Sequence, residues 1–201
     1  TSAFSGGVGD EFLCAPRLDN VVSVYSSLNA IINSTPKDIA VCCCFDNEEV
    51  GSETKQGAAS NILSTLLRKI NRAFMKNDDD FTFATENGVL LSSDNAHAVH
   101  PSFPEKSDPS EKVYLNKGVV IKHHVNYSTD ALSSAVVKTL LKNENIEVQD
   151  YYNNSDVRCG STIGLVTSAD LNMNACDVGI AQLAMHSGVE TAGASELIFT
   201  P

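Results

Sequence analysis

Acidic residues and histidines gather in four stretches of this 201-residue sequence. Phe45-Asp46-Asn47-Glu48-Glu49-Val50-Gly51-Ser52 crowds three carboxylates into four residues. Charges that close repel, so they either splay into solvent or share a cation. Ser92-Ser93-Asp94-Asn95-Ala96-His97-Ala98-Val99-His100-Pro101 spaces Asp94, His97 and His100 three apart, a set that can bind metal and move protons or can form a capped turn with incidental histidines. Leu183-Ala184-Met185-His186-Ser187 places one histidine in an apolar setting, where it reads as a core residue or as a ligand. Ala15-Pro16-Arg17-Leu18-Asp19-Asn20 ends on Asp19, which can also serve as the cap of a following helix.

The elements needed to position these groups alternate between strand and helix, the pattern of a layered α/β domain. Apolar spacing predicts a helix over Asp19–Asn33 and a buried strand over Asp38–Phe45 that includes Cys42, Cys43 and Cys44. A second helix is predicted over Gly57–Phe74, with Ile62, Leu63, Leu66, Leu67, Ile70 and Phe74 on one face. Asn77-Asp78-Asp79-Asp80 reads as a break, and Gly88–Leu91 and Lys117–His123 as strands. Ser128 or Thr129 caps a predicted helix to Lys142 with Leu132, Ala135, Val136 and Leu140 inward. Ile146–Gln149 and Asp177–Ile180 read as further strands. Three of the four stretches thus begin or end at predicted elements, where open α/β sheets place their sites.

Composition narrows the function. Fourteen basic against 25 acidic residues give a formal net charge of −11, which argues against binding nucleic acid or an anionic membrane. The longest apolar run, residues 39–45, falls far short of the roughly 20 residues that span a bilayer, and no signal segment opens the sequence. The six cysteines include three in succession and form no C-x-x-C pair. That usage suits small buried hydrophobes in a reducing, cytoplasmic compartment better than a disulfide framework. The N-x-S/T triplets at Asn33, Asn126 and Asn153 read as chance occurrences.

Taken together, the motifs resemble the aspartyl aminopeptidases, a family of co-catalytic zinc exopeptidases that includes the yeast vacuolar aminopeptidase. The resemblance starts with Asp10-Glu11-Phe12, Ala15-Pro16-Arg17-Leu18-Asp19-Asn20, Asp46–Ser52 and Asp94–Pro101. It continues through Gly118-Val119-Val120-Ile121-Lys122, Arg158-Cys159-Gly160-Ser161-Thr162-Ile163-Gly164 and Gln182–Ser187, in family order and over nearly the whole chain. It implies a three-layer α-β-α sandwich of the zinc exopeptidase (phosphorylase/hydrolase-like) type, with residues 1–201 forming the C-terminal portion of the catalytic domain.

The resemblance also implies roles. Asp19 would bridge two zinc ions, Glu49 and His186 would complete one of them, and Asp94 would bind the other, at the roughly 3.5–4 Å metal separation of two-metal sites. Three carboxylates and a hydroxide would balance the charge of two Zn²⁺. Glu48 would be the general base, taking a proton from the bridging water and passing it to the leaving amine. His97 would sit by the substrate carbonyl oxygen. Lys122 would face the side chain of an N-terminal Asp or Glu, with Tyr127 and Met185 lining the same pocket. Cys159-Gly160-Ser161-Thr162 would open a helix beside the site rather than supply a nucleophile.

Some family features have no counterpart. The histidine that completes the other zinc comes from a segment well before the bridging aspartate, and the inserted dimerisation domain lies between them; neither can be matched here. The tail after Ser195 is shorter than usual. The expectation is a dinuclear zinc aminopeptidase acting on peptides, with a homo-oligomeric full-length protein, dodecameric in the family. The chain alone is expected to bind one zinc better than the other and to hydrolyse peptides poorly. A related aminopeptidase of neutral or broad specificity, and a non-catalytic fragment or assembly subunit, are the alternatives.

Overall fold

The computed structural model describes residues 2–195. Among the described residues nine strands and five α-helices alternate in an α/β arrangement: β1 (Phe4–Gly6), β2 (Phe12–Ala15), α1 (Leu18–Asn33), α2 (Ile62–Ala73), α3 (Asp78–Glu86), β3 (Val89–Ser93), β4 (Ala96–His97), β5 (Val119–His123), α4 (Ala131–Asn143), β6 (Val148–Tyr152), α5 (Ile163–Leu171), β7 (Asn174–Gly179), β8 (Ala181–Leu183) and β9 (Glu190–Gly193). The tail beyond Ser195 lies outside the described residues.

The strands form two mixed sheets. One runs β3-β7-β5-β6 and the other β1-β2-β9-β8-β4. In the first, β3 and β7 are parallel, β5 and β6 are parallel, and β5 meets β7 antiparallel. Side chains alternate across a sheet, so Cys176 and Asp177 of β7 point to opposite faces. Val137 of α4 packs with Ile121 and Cys176 on one face. Gly164 of α5 stands against the Asp177 carboxylate on the other. Helices therefore cover both faces of this sheet.

The two sheets join along one seam. β3 and β7 run side by side in the first sheet, and their continuations β4 and β8 run side by side in the second. Between them the pairing persists: the Asp94 amide donates to Val178 O at 2.8 Å and the Ala96 amide to Ile180 O at 2.8 Å. Gly179 faces this crossing so closely that a Cβ there would collide with the Asp94 carbonyl oxygen and the Asn95 backbone. Asp94 is thus presented where one sheet hands its strands to the other.

Several expected elements differ. Residues 39–45 form no strand; Ile39 and Val41 are exposed, as are Cys43 and Cys44. An apolar run becomes a strand only where a neighbour pairs its amides and carbonyls, and no such neighbour flanks this run among the described residues. The residues Asn77–Asp80 begin a helix instead of breaking one: the Asn77 side chain accepts from the Asp80 amide while the Asp80 carboxylate accepts from the Asn77 amide. That reciprocal capping box satisfies two amides a helix start would otherwise leave unpaired.

Asp130, not Ser128 or Thr129, caps α4 in the same way with Ser133. Packing on the sheet selects Ser133, Ser134 and Val137 as the buried face, so Leu132, Ala135, Val136 and Leu140, expected inward, are exposed. On α2 the packing selects Leu63 and leaves Ile62, Leu66, Ile70 and Phe74 largely exposed. Strands β1, β2, β4, β8 and β9 are short and escaped the periodicity reading.

The seam gives a stability prediction. Gly179→Ala should cost about 1–3 kcal/mol, the range for forcing a methyl into packed backbone, read as a lower urea midpoint at unchanged slope. A midpoint equal to the wild type's would show that the crossing tolerates more room than this packing allows.

Candidate functional site

Three chain segments leave the second sheet or its seam and converge. Strand β2 ends at Ala15, and the chain turns through Arg17, in left-handed conformation (φ 60°), to Asp19 at the start of α1. Asp19 and Asn20 have non-helical backbone angles and are joined by a cis peptide. Strand β8 ends at Leu183 and the chain turns through Ala184 (φ 56°) to His186 (φ 66°). Positive φ is unusual for residues with a Cβ and commonly marks functional turns. The third segment is Asp94-Asn95 at the seam.

The loop 46–50 brings the fourth contribution. His186 Nε2 lies 3.1 Å from Asp19 Oδ2 and 3.2 Å from Glu49 Oε1. One donor atom from each of these three residues falls within 4.8 Å of the others, a spacing that suits a shared metal ion. The Asp19 side chain is only 4% exposed, and its Oδ1 has no hydrogen-bond partner among the described residues. A buried carboxylate oxygen without a donor is costly unless a cation serves it. With two carboxylates and an imidazole, the donor set fits zinc.

Glu48 and Asp94 flank this trio. Burial first, then Asp94 and Glu49, push the Asp19 carboxyl up to about 7. The same causes in the same order push Glu48 up to about 7, against the opposing pull of Lys122 and His186. Glu48 is therefore poised to gain and lose a proton near neutral pH. Desolvation by the surrounding protein, then Lys122 and His186, hold the His97 imidazole below its ordinary range, although the residue as a whole is exposed.

Lys122 is placed differently from a free pocket-floor cation. It is 2% exposed, and its ammonium donates to Asp94 Oδ2 at 2.8 Å, Asp94 O at 3.0 Å and Asn95 O at 2.8 Å. It also lies 5.1 Å from the Tyr127 ring centroid. Tyr127 accepts a hydrogen bond from the Cys159 thiol at 3.3 Å, and burial raises its hydroxyl pKa. Next to this pair opens a cavity of about 610 Å³ lined by Asn126, Arg158, Cys159, Gly160 and Ser161. The segment 159–162 leads into α5, as its small residues suggested. Met185 is half-buried on the turn before His186. Asp46 is exposed, and His100 accepts from the Ser102 amide with its ring tilted against Phe103.

Four residues that hold this arrangement were not evident from sequence. Asn95 donates its amide to Leu18 O and to Gln182 Oε1, tying the segment before Asp19 to strand β8. Asn20 donates to Ser93 O at 2.7 Å. Asp177, fully buried, accepts from Ser128 N and Oγ and from Thr162 Oγ1, fixing both loops that flank Tyr127 and Cys159. Glu190, 2% exposed, accepts from the amides of both Asp19 and His186. Its one sequence signal is a carboxylate four residues after a candidate ligand.

Residues 1–200 match the family described as aminopeptidase I zinc metalloprotease, M18. A probable M18 family aminopeptidase 2 from Clostridium novyi is 42% identical over 193 residues, covering 94% of this chain and 45% of that protein. The crystal structure of an M18 aminopeptidase from Thermotoga maritima superposes with a TM-score of 0.93 at 25% identity, over 100% of this chain and 46% of that one. The Saccharomyces cerevisiae mApe1 dodecamer gives a TM-score of 0.86 at 28% identity, over 100% and 46%. The chain spans about half the length of the curated relatives it matches. With that extent of matching sequence and structure, the chain belongs to the M18 family of aminopeptidase I zinc metalloproteases.

Proposed function

We propose that this chain is the C-terminal portion of the catalytic domain of a dinuclear zinc aminopeptidase that removes N-terminal residues, Asp or Glu by preference, from peptides. The observation that carries the reading is the convergence of Asp19, Glu49 and His186 around a point where Asp19 Oδ1 lacks a donor. Those three residues would hold one zinc, and Asp19 with Asp94 would serve the second. Zinc bound there supplies Lewis-acid polarisation of a peptide carbonyl and a nucleophile at neutral pH.

The chain's own residues account for the remaining needs. Glu48, with a carboxyl near neutrality, removes a proton from the attacking water and returns it to the departing amine. His97, held neutral at pH 7, donates an N–H toward the carbonyl oxygen as it gains charge. Lys122 over the Tyr127 ring and Arg158 in the lining of the neighbouring cavity supply positive charge, which supports an acidic preference. Every N–H of Lys122 is engaged by Asp94 and Asn95, so direct recognition by Lys122 requires the substrate carboxylate to replace one of these acceptors.

The family membership and the mApe1 dodecamer support homo-oligomeric assembly of the full-length protein. Cys14, Cys42, Cys43, Cys44, Cys159 and Cys176 are all free thiols, in keeping with a cytoplasmic location. No helix among the described residues is long and apolar enough to cross a membrane.

Four outcomes test the reading. Zinc should raise the unfolding free energy of the protein by about 2.7 kcal/mol at a free concentration one hundred times its Kd. His186→Ala should shift that stabilisation to much higher zinc concentrations, and equal stabilisation of the variant would remove His186 from the site. In the full-length gene product, Glu48→Gln should lower kcat by roughly 10²- to 10⁴-fold with zinc content unchanged; loss of zinc would make Glu48 a ligand. Release of Asp from Asp-Ala-Ala should exceed release of Leu from Leu-Ala-Ala in kcat/KM, and the reverse order would overturn the acidic preference.

A further inference from the structure

We infer that Glu190 is a positioning residue whose single buried carboxylate sets Asp19 and His186 in register as a pair of metal ligands. The inference rests on the reading of Asp19, Glu49 and His186 as a zinc site. Strand β9 lies between β2 and β8 in the second sheet. Glu190 opens β9 and pairs in register with Ala15, the last residue of β2. The chains leaving β2 and β8 carry Asp19 and His186 respectively, so Glu190 stands between the two outgoing turns. Its Oε2 accepts from the Asp19 amide at 2.8 Å and its Oε1 from the His186 amide at 2.6 Å. The two turns contain the left-handed residues Arg17, Ala184 and His186, conformations that persist only when their surroundings hold them.

The chemistry explains why a carboxylate stands there. The crevice already holds Asp19, Glu48, Glu49 and Asp94, so another buried negative charge nearby is electrostatically unfavourable. Only a carboxylate offers two equivalent acceptor oxygens; an amide of the same shape would offer one acceptor and turn an N–H₂ toward the other backbone N–H. Replacement by Gln should therefore free one of the two turns while leaving volume unchanged. Replacement by Asp keeps the charge and shortens the reach, so neither variant should present both ligands correctly.

The test is zinc affinity of the full-length gene product, measured by competition with a chromophoric chelator and compared with metal-free stability in urea. Glu190→Gln and Glu190→Asp should each weaken zinc binding by about 10- to 100-fold, the effect of losing a partner that orients metal ligands. Asp177→Asn serves as the control, because Asp177 is an equally buried carboxylate that accepts hydrogen bonds from Ser128 and Thr162 and from neither ligand turn. It should lower stability with zinc affinity within about threefold of the wild type. Wild-type affinity in both Glu190 variants would overturn the inference alone. Affinity losses that track stability loss equally in the Glu190 and Asp177 variants would overturn it as well, reducing Glu190 to a structural role. A wild-type protein that binds no zinc would overturn the metal-site reading and this inference with it.

Discussion

Like charges gathered into one crevice are the constraint around which this structure is organised. Asp19, Glu48, Glu49 and Asp94 approach one another against the positive charge of Lys122 and the imidazole of His186. Two carboxylates about 4 Å apart repel by roughly 4 kcal/mol at the effective dielectric of a protein surface. Left on flexible loops, such groups would splay into water. Here Asp19 is tethered by Glu190, Asn95 grips Leu18 and Gln182, and Lys122 clamps the Asp94 segment. A doubly charged cation would relieve that repulsion, because the geometry that brings the oxygens together spares the cation from having to assemble them.

The backbone plan makes this tethering economical. Both sheets contribute strand ends to one place, since β3 and β7 pass directly into β4 and β8. Asp94 lies on the crossing itself, while Asp19 and His186 follow the ends of β2 and β8. Each of these side chains is therefore no more than a few residues from a hydrogen-bonded ladder, and sites placed on such rigid supports hold their geometry more closely than sites on free loops. Glu48 and Glu49 differ: they sit on a single 3-10 turn, Glu48–Val50, closed by the Gly51 amide donating to Glu48 O and tied by the Ser52 amide to Asn47 O and the Asp46 amide to Gln56 O. Glu48 is thus held by a short turn rather than by a strand end.

The contrast between sequence and structure follows the same division. Asp19, Glu48, Glu49, Asp94, His97 and His186 stand out in the sequence because each is a chemically capable side chain beside a strand end or turn, within motifs that follow one another in family order. Packing faces were harder. On α4 the sheet takes Val137 where Val136 was expected, and because neighbours on a helix point about 100° apart, that one-residue difference moves the whole buried face. Residues 39–45 show the limit of hydrophobicity as a signal: the run is apolar enough for a strand, yet pairing partners decide whether one forms. Glu190 and Asp19 are 171 positions apart. No local pattern announces a contact of that separation.

Lys122 shows how one buried group can serve structure and chemistry together. Its ammonium neutralises Asp94 and holds the Asn95 carbonyl, which secures the seam between the sheets. The same charge pulls the Glu48 carboxyl downward and the His97 imidazole downward. For Glu48 this opposes the upward push of burial and of neighbouring carboxylates, keeping its pKa at about 7 instead of higher. For His97 it adds to the effect of burial and favours the neutral ring. One acid near its midpoint and one uncharged donor can then coexist at the same pH, the separation of roles that acid–base catalysis requires. A neutral side chain at position 122 would let both groups drift upward, toward a protonated Glu48 and a charged His97, so the lysine's place in the fold and its place in the chemistry cannot be assigned separately.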